Sequence, residues 1–234
     1  MDKAQHIFEK LAKEKNKHHS RNLAVGTAGV IGAEMLNPTS PIYGAPIRKV
    51  VYSPIIKSIK DHPTSVAEKL TPAIEAEASK RKVTLRTFNR HPQGGLYQKA
   101  LRTAEISKKL PEFAFHELGH AKLHDKLPML MKTRGIGQGV ASLTALGTAV
   151  SDKDSNFSKA MPYVAAAGVT PMLADEAYAS RHALRALKKN KASKATIRLA
   201  RKNMGKAFGT YGLMAAGAVA APVLIRKFKK GKNE

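Results

Sequence analysis

No cysteine occurs anywhere in the 234 residues. A disulfide framework, a thiolate metal site and a cysteine nucleophile are therefore excluded. Tryptophan is missing too, and aromatic residues make up only 6% of the chain, too few for the base-stacking platforms of a single-strand nucleic-acid binder. Acidic residues are scarce: 17 Asp+Glu stand against 41 Lys+Arg, a formal charge of +24. An acidic solvating protein is ruled out. The surplus implies a polyanionic neighbour, which is a nucleic acid, an anionic membrane face or an acidic partner.

What is present is apolar sequence gathered into four stretches: 22–36 (NLAVGTAGVIGAEML), 135–150 (GIGQGVASLTALGTAV), 160–174 (AMPYVAAAGVTPMLA) and 207–225 (AFGTYGLMAAGAVAAPVLI). Only the last reaches the length of a spanning helix. It runs into Arg226, Lys227, Lys229, Lys230 and Lys232, a basic flank of the kind retained on the cytoplasmic side. The second and third are slightly short and are joined by a polar loop holding Asp152 and Asp154. Lys132, Arg134, Arg181 and Arg185 flank them. That is the charge pattern of a membrane hairpin with both ends inside, and equally of a pair of small-residue helices buried in a soluble core. The first stretch follows a basic amphipathic start, but that start contains Asp2, Glu9 and Glu14 and no small-residue cleavage site follows. A cleaved signal is rejected in favour of a short helix on the core or at a membrane surface.

Residues 37–65 carry five prolines and read as irregular. Residues 66–80 read as a helix, capped by Ser65 with Glu68 three residues on. Residues 81–90 alternate apolar with basic side chains, as a half-exposed strand does. His91 to Gly95 form a turn, and 96–107 supplies a second strand or a helix.

The chemistry lies in Phe115-His116-Glu117-Leu118-Gly119-His120-Ala121, an H-E-x-x-H sequence. On a helix, positions i and i+4 share a face. His116 and His120 can therefore aim two imidazoles at one metal ion, with the Glu117 carboxylate able to reach a water there. Pro111 and Glu112 suit the helix start, and Gly119 offers a small surface to a crossing helix. A catalytic zinc takes three protein ligands and keeps one position open. His124 is a further i+4 along, but about 6 Å up the axis, too far to converge on the same ion. Glu176, in Asp175-Glu176-Ala177-Tyr178-Ala179-Ser180-Arg181-His182, is the better third ligand, and Asp175 is the nearest competitor. Tyr178 and His182 are candidates to stabilise an oxyanion, although Tyr178 reads equally as a packing residue.

The H-E-L-G-H helix, a Gly/Ala-rich hairpin and then Glu-Ala-Tyr-Ala-Ser-Arg-His-Ala-Leu resemble the gluzincin metallopeptidases. The nearest pattern is the neutral zinc metallopeptidase family of bacterial membrane proteins. The resemblance covers about residues 81–190. It implies a zinc-dependent endopeptidase acting on a peptide or protein substrate, with Zn2+ on His116, His120 and Glu176 and with Glu117 as general base. It also implies that the 81–107 region supplies an edge strand to hold extended substrate. The membrane heat-shock proteases, which are relatives, usually carry Asp where Ser180 stands.

The expected fold is therefore mainly α with a small β element, in three parts. These are a basic helical and Pro-rich extension (1–80), a zincin-like core (81–190), and a basic helix followed by an apolar C-terminal helix with a basic tail (191–234). The expected location is a membrane, with basic segments on the cytoplasmic side and an anionic lipid surface as partner. The alternative class is a non-enzymatic basic protein of peptidase-like fold, structural, virion-associated or membrane-penetrating. Nucleic-acid binding is the third class, and it lacks any recognised module.

Overall fold

The structure is a computed structural model and describes residues 53–89 and 95–229. The stretch 22–36, the basic start before it and most of the expected turn at 91–95 lie outside the described residues. The described chain is mainly helical with one small sheet. Its elements are α1 (Ser53–Lys57), α2 (Thr64–Lys80), β1 (Thr84–Phe88), β2 (Gly95–Gln98), β3 (Thr103–Ser107), α3 (Pro111–Lys126), α4 (Pro128–Val150), α5 (Asn156–Lys189) and α6 (Lys194–Phe228).

Three local expectations need correcting. The helix expected from residue 66 starts at Thr64, behind Pro63 as N-cap and with no side-chain cap bond. Pro63 sets the entry instead of Ser65, because a proline φ suits a helix start. The Pro-rich segment holds the short helix α1. Residues 96–107 form neither one strand nor one helix. They form two antiparallel strands, β2 and β3, joined through Arg102 at a φ of 47°. Neither Gly nor Pro marks that turn. Arg102 is held there by bonds to Asp125 (2.9 Å), to the Lys82 carbonyl (3.4 Å) and to the Arg81 carbonyl (2.5 Å).

The strand order is β1-β3-β2, with β1 parallel to β3 and β2 antiparallel to it. β3 is central, and its four flanking positions are buried. β2 lies at an edge. α2 and α5 end alike. In α2 the amide of Val83 bonds the carbonyl of Ala78 and that of Lys82 bonds Ser79, with Lys82 at φ 53°. In α5 Ala192 bonds Leu187 and Lys191 bonds Lys188, with Lys191 at φ 54°. Both are Schellman closures with lysine where glycine is usual. α6 then starts behind Ser193, whose Oγ accepts the Thr196 amide at 3.1 Å.

The chain divides into two compact units. One comprises Arg48–Ile136 and Thr170–Leu213. Its core gathers Leu70, Ile74, Ile106, Phe113, Phe115, Leu118 and Leu187 around α3. Every residue of α3 from Pro111 to Ala121 is buried. The other unit includes Gly137–Val169 and Met214–Glu234. There Gly137 and Gly168 cross so closely that a Cβ on either would sit 2.3–2.5 Å from the other's carbonyl oxygen. Ala145, Ala149 and Ile225 form its small core. Among the described helices α6 alone is long and apolar enough, by length and composition, to cross a membrane. Lys229 Nζ donates to the carbonyls of Thr148 and Ala149 at 2.9 Å and also to that of Ser151. The end of α6 therefore lies at the α4–α5 loop. Lys132 and Arg134 sit near the start of α4.

Candidate metal centre

α3 carries His116, Glu117 and His120, and α5 carries Asp175 and Glu176. Gly119 lets the two helices approach. A Cβ there would meet Ala179 Cα at 2.9 Å and His182 Cβ at 3.2 Å. The approach brings the three side chains expected as ligands together. His116 Nε2 lies 3.0 Å from His120 Nε2 and 3.2 Å from Glu176 Oε2. His120 Nε2 lies 3.6 Å from the same Oε2. Two ligands at tetrahedral positions on an ion with bonds of ~2.0–2.1 Å are about 3.3 Å apart. The triangle has that size, so His116, His120 and Glu176 could hold a metal ion.

The remaining atoms of these side chains are committed elsewhere. Asp175 Oδ1 accepts from His120 Nδ1 at 2.8 Å, which leaves Nε2 turned toward the cluster. Asp175 thus bonds a histidine and is not the third corner. Ser180 Oγ stands 3.4 Å from His116 Nδ1. Arg134, on α4, donates to Asp175 Oδ2, and its Nη2 donates to Glu176 Oε1 at 2.9 Å, leaving Oε2 free to face the imidazoles. Such partners fix tautomer and orientation.

Burial makes these charges felt strongly. Desolvation alone would lower His120, but Glu176 and the bond from Asp175 outweigh it and push the imidazole up to about 10. Desolvation likewise opposes the charge on Glu176, yet His120 and His116 hold its carboxyl well below the usual range. The corner therefore favours a cation, whether proton or metal ion. Glu117 is the exception: burial pushes its carboxyl up, against the lowering by His116 and His120. A raised carboxylate pKa suits a group that must take up a proton. Gly95, at the start of β2, lies against it. A Cβ at that glycine would come within 2.9 Å of Glu117 Cγ and Oε1. No other residue allows the edge strand so near the carboxylate.

Other sequence candidates fall elsewhere. His124 is only partly buried and is outside the cluster. His182 Nε2 bonds Glu77 Oε1 at 2.7 Å. With Tyr178 it lines a separate open cavity of about 470 Å3 that is rich in Lys and Arg. Two residues that the sequence does not mark as parts of the site belong to it. Arg134, which reads as a membrane flank, is one. Tyr211 bonds Glu176 and faces Glu117 and Arg134. A lone phenol inside an apolar run was the available signal for Tyr211; nothing local marks Arg134. At the other end of α3, Glu112 is fully buried. It accepts from Asn203 Nδ2 at 2.7 Å and meets His62 Nε2 at 3.0 Å, which anchors the helix start. No family model, curated protein or solved structure matches the chain.

Proposed function

We propose that the protein is a zinc-dependent endopeptidase with a zincin-like active-site helix, associated with a membrane. The observation that carries the reading is the buried His116–His120–Glu176 triangle of tetrahedral-edge size, with Glu117 beside it. The donor set of two imidazoles and one carboxylate suits zinc, and the cysteine-free chain offers no softer site. Zinc, when bound, supplies Lewis acidity toward a peptide carbonyl and acidifies water.

The chain's own residues do the rest. His116, His120 and Glu176 hold the ion. Asp175 keeps His120 in the tautomer that presents Nε2, and Arg134 keeps Glu176 turned so that Oε2 faces inward. Glu117 takes the proton from the attacking water and returns it to the leaving amine. The outer edge of β2 carries backbone groups not used by β3. An extended peptide pairing there lies next to Glu117. The phenol of Tyr211 interacts with both glutamates and is suited to steady a developing oxyanion. Membrane association is supported by the length and apolar composition of α6.

The test pairs two measurements. Glu117→Gln keeps stoichiometric zinc and loses about 10²–10⁴-fold in peptide cleavage, while His116→Ala loses the metal. Purified protein that carries no zinc and takes none up would sink the reading. Zinc without turnover on diverse peptides would favour the non-enzymatic class instead.

A further inference from the structure

The unit containing Gly137–Val169 and Met214–Glu234 buries many small residues and leaves many large apolar ones outside, although Met161, Val169, Met214 and Ile225 are buried. Alanines at 141, 145, 149 and 165 are buried. Leu143, Val150, Phe157, Leu224 and Phe228 are exposed, and Tyr163 is 78% exposed. Small-residue interiors with apolar exteriors are what helix packing in lipid selects.

One end of this unit is built differently. Lys229 ties the end of α6 to the carbonyls that close α4. That lock draws the basic end of α6 against the α4–α5 loop and the start of α5. Between them opens a recess of about 450 Å3. Lys153, Lys159, Arg226 and Lys227 line it, with Tyr163 and Val223 on its apolar side. Asp152 and Asp154 belong to the same loop but do not line it. Four cations thus converge where an exposed tyrosine and an apolar helix face begin. Tyrosine sits at the headgroup level of bilayers, and basic side chains reach from there to lipid phosphates. The uncharged run of α4, 16 residues from 135 to 150, spans about 24 Å at 1.5 Å per residue, short of the ~30 Å hydrocarbon core. Cations at the end of a short span can offset such a shortfall by reaching phosphates drawn toward them.

We propose that this recess binds the phosphate headgroup of an anionic phospholipid, with the acyl chains along the exposed faces of α5 and α6. The proposal rests on the membrane reading above and makes it specific. Its test uses the full chain in flotation assays with vesicles of phosphatidylcholine alone or with added phosphatidylglycerol. One variant combines Lys153→Gln, Lys159→Gln, Arg226→Gln and Lys227→Gln. A charge-matched variant combines Lys188→Gln, Lys189→Gln, Arg198→Gln and Lys202→Gln. Each removes four cations, from +24 to +20, so general attraction to the surface is reduced equally. The recess variant should lose on the order of 100-fold in affinity for the anionic vesicles. The matched variant should lose distinctly less, and Lys153→Arg with Lys159→Arg should keep binding. Equal loss in the two Gln variants overturns the site while leaving membrane association standing. Flotation with neither kind of vesicle overturns both. Competition by millimolar inorganic phosphate or glycerol phosphate as effective as by vesicles would identify a soluble-anion site and overturn the lipid assignment.

Discussion

Around α3 the polar groups are inside. His116, Glu117, His120, Asp175 and Glu176 are each at most 6% exposed, and both imidazoles, Asp175 and Glu176 each meet another of the group. In the unit of 137–169 and 214–229 the arrangement is reversed: Ala141, Ala145, Ala149 and Ala165 are buried and Gly137 packs on Gly168, whereas Leu143, Val150, Phe157 and Leu224 are exposed. Burying charge is costly unless it is paired, and here Asp175, Glu176, Arg134 and the two imidazoles pair with one another. Exposing large apolar side chains is costly in water and costless in lipid. The contrast teaches that one unit buries a paired polar centre, whereas the other leaves large apolar side chains on its surface.

The contrast can be broken at its strongest points. Phe115 is fully buried against α3's neighbours, so Phe115→Ala should cost about 3–5 kcal/mol in denaturant unfolding. Leu143→Lys, at a 64% exposed position, should leave zinc content unchanged and instead impair membrane insertion, by about 2.5–3.5 kcal/mol if that face meets the bilayer centre. Normal insertion of Leu143→Lys would show that the face meets water. Gly119→Ala forces a Cβ onto the α5 backbone and should cost about 1–3 kcal/mol, with weakened metal retention because Glu176 moves away with that helix. Asp175→Asn should keep the fold and lower zinc affinity about 10–100-fold, measured by chelator competition. Unchanged affinity would mean that Asp175 does not orient His120.

The smallest effect concerns acid. Burial would raise Glu77, but His182 and Arg81 hold it at about 2, below its ordinary 4.5. Its contribution is therefore complete above pH 4.5 and drains away as pH falls toward 2. Because Glu77, His182 and Arg81 line an open cavity, water screens them and that contribution is about 1 kcal/mol at most. Glu77→Gln should lower stability by up to that amount at neutral pH and flatten the profile, so that the difference from the parent vanishes as pH falls toward 2.

Much of the centre was legible from spacing alone, because a helix turns local order into a face. Two histidines four apart, with a proline at the helix start and a glycine between them, predict α3 and the side it presents. The uncharged stretches likewise predict where α4, α5 and α6 run. The β-hairpin was not legible: its turn uses Arg102 in a left-handed conformation stabilised by Asp125, a residue 23 positions away. Nor was the part taken by Arg134. Its partners lie 41 and 42 positions along the chain, and a basic residue before an apolar run looks the same whether it faces lipid phosphate or carboxylate.

The sequence by itself therefore determined the donor types. With no cysteine and one H-E-x-x-H helix, any catalytic metal site here must be built of imidazole and carboxylate. Only the tertiary structure decided which of two adjacent carboxylates completes the triangle. Asp175 and Glu176 differ by one position, which is 100° around a helix, and the crossing of α5 over Gly119 turns Glu176 toward both imidazoles and Asp175 toward the back of one.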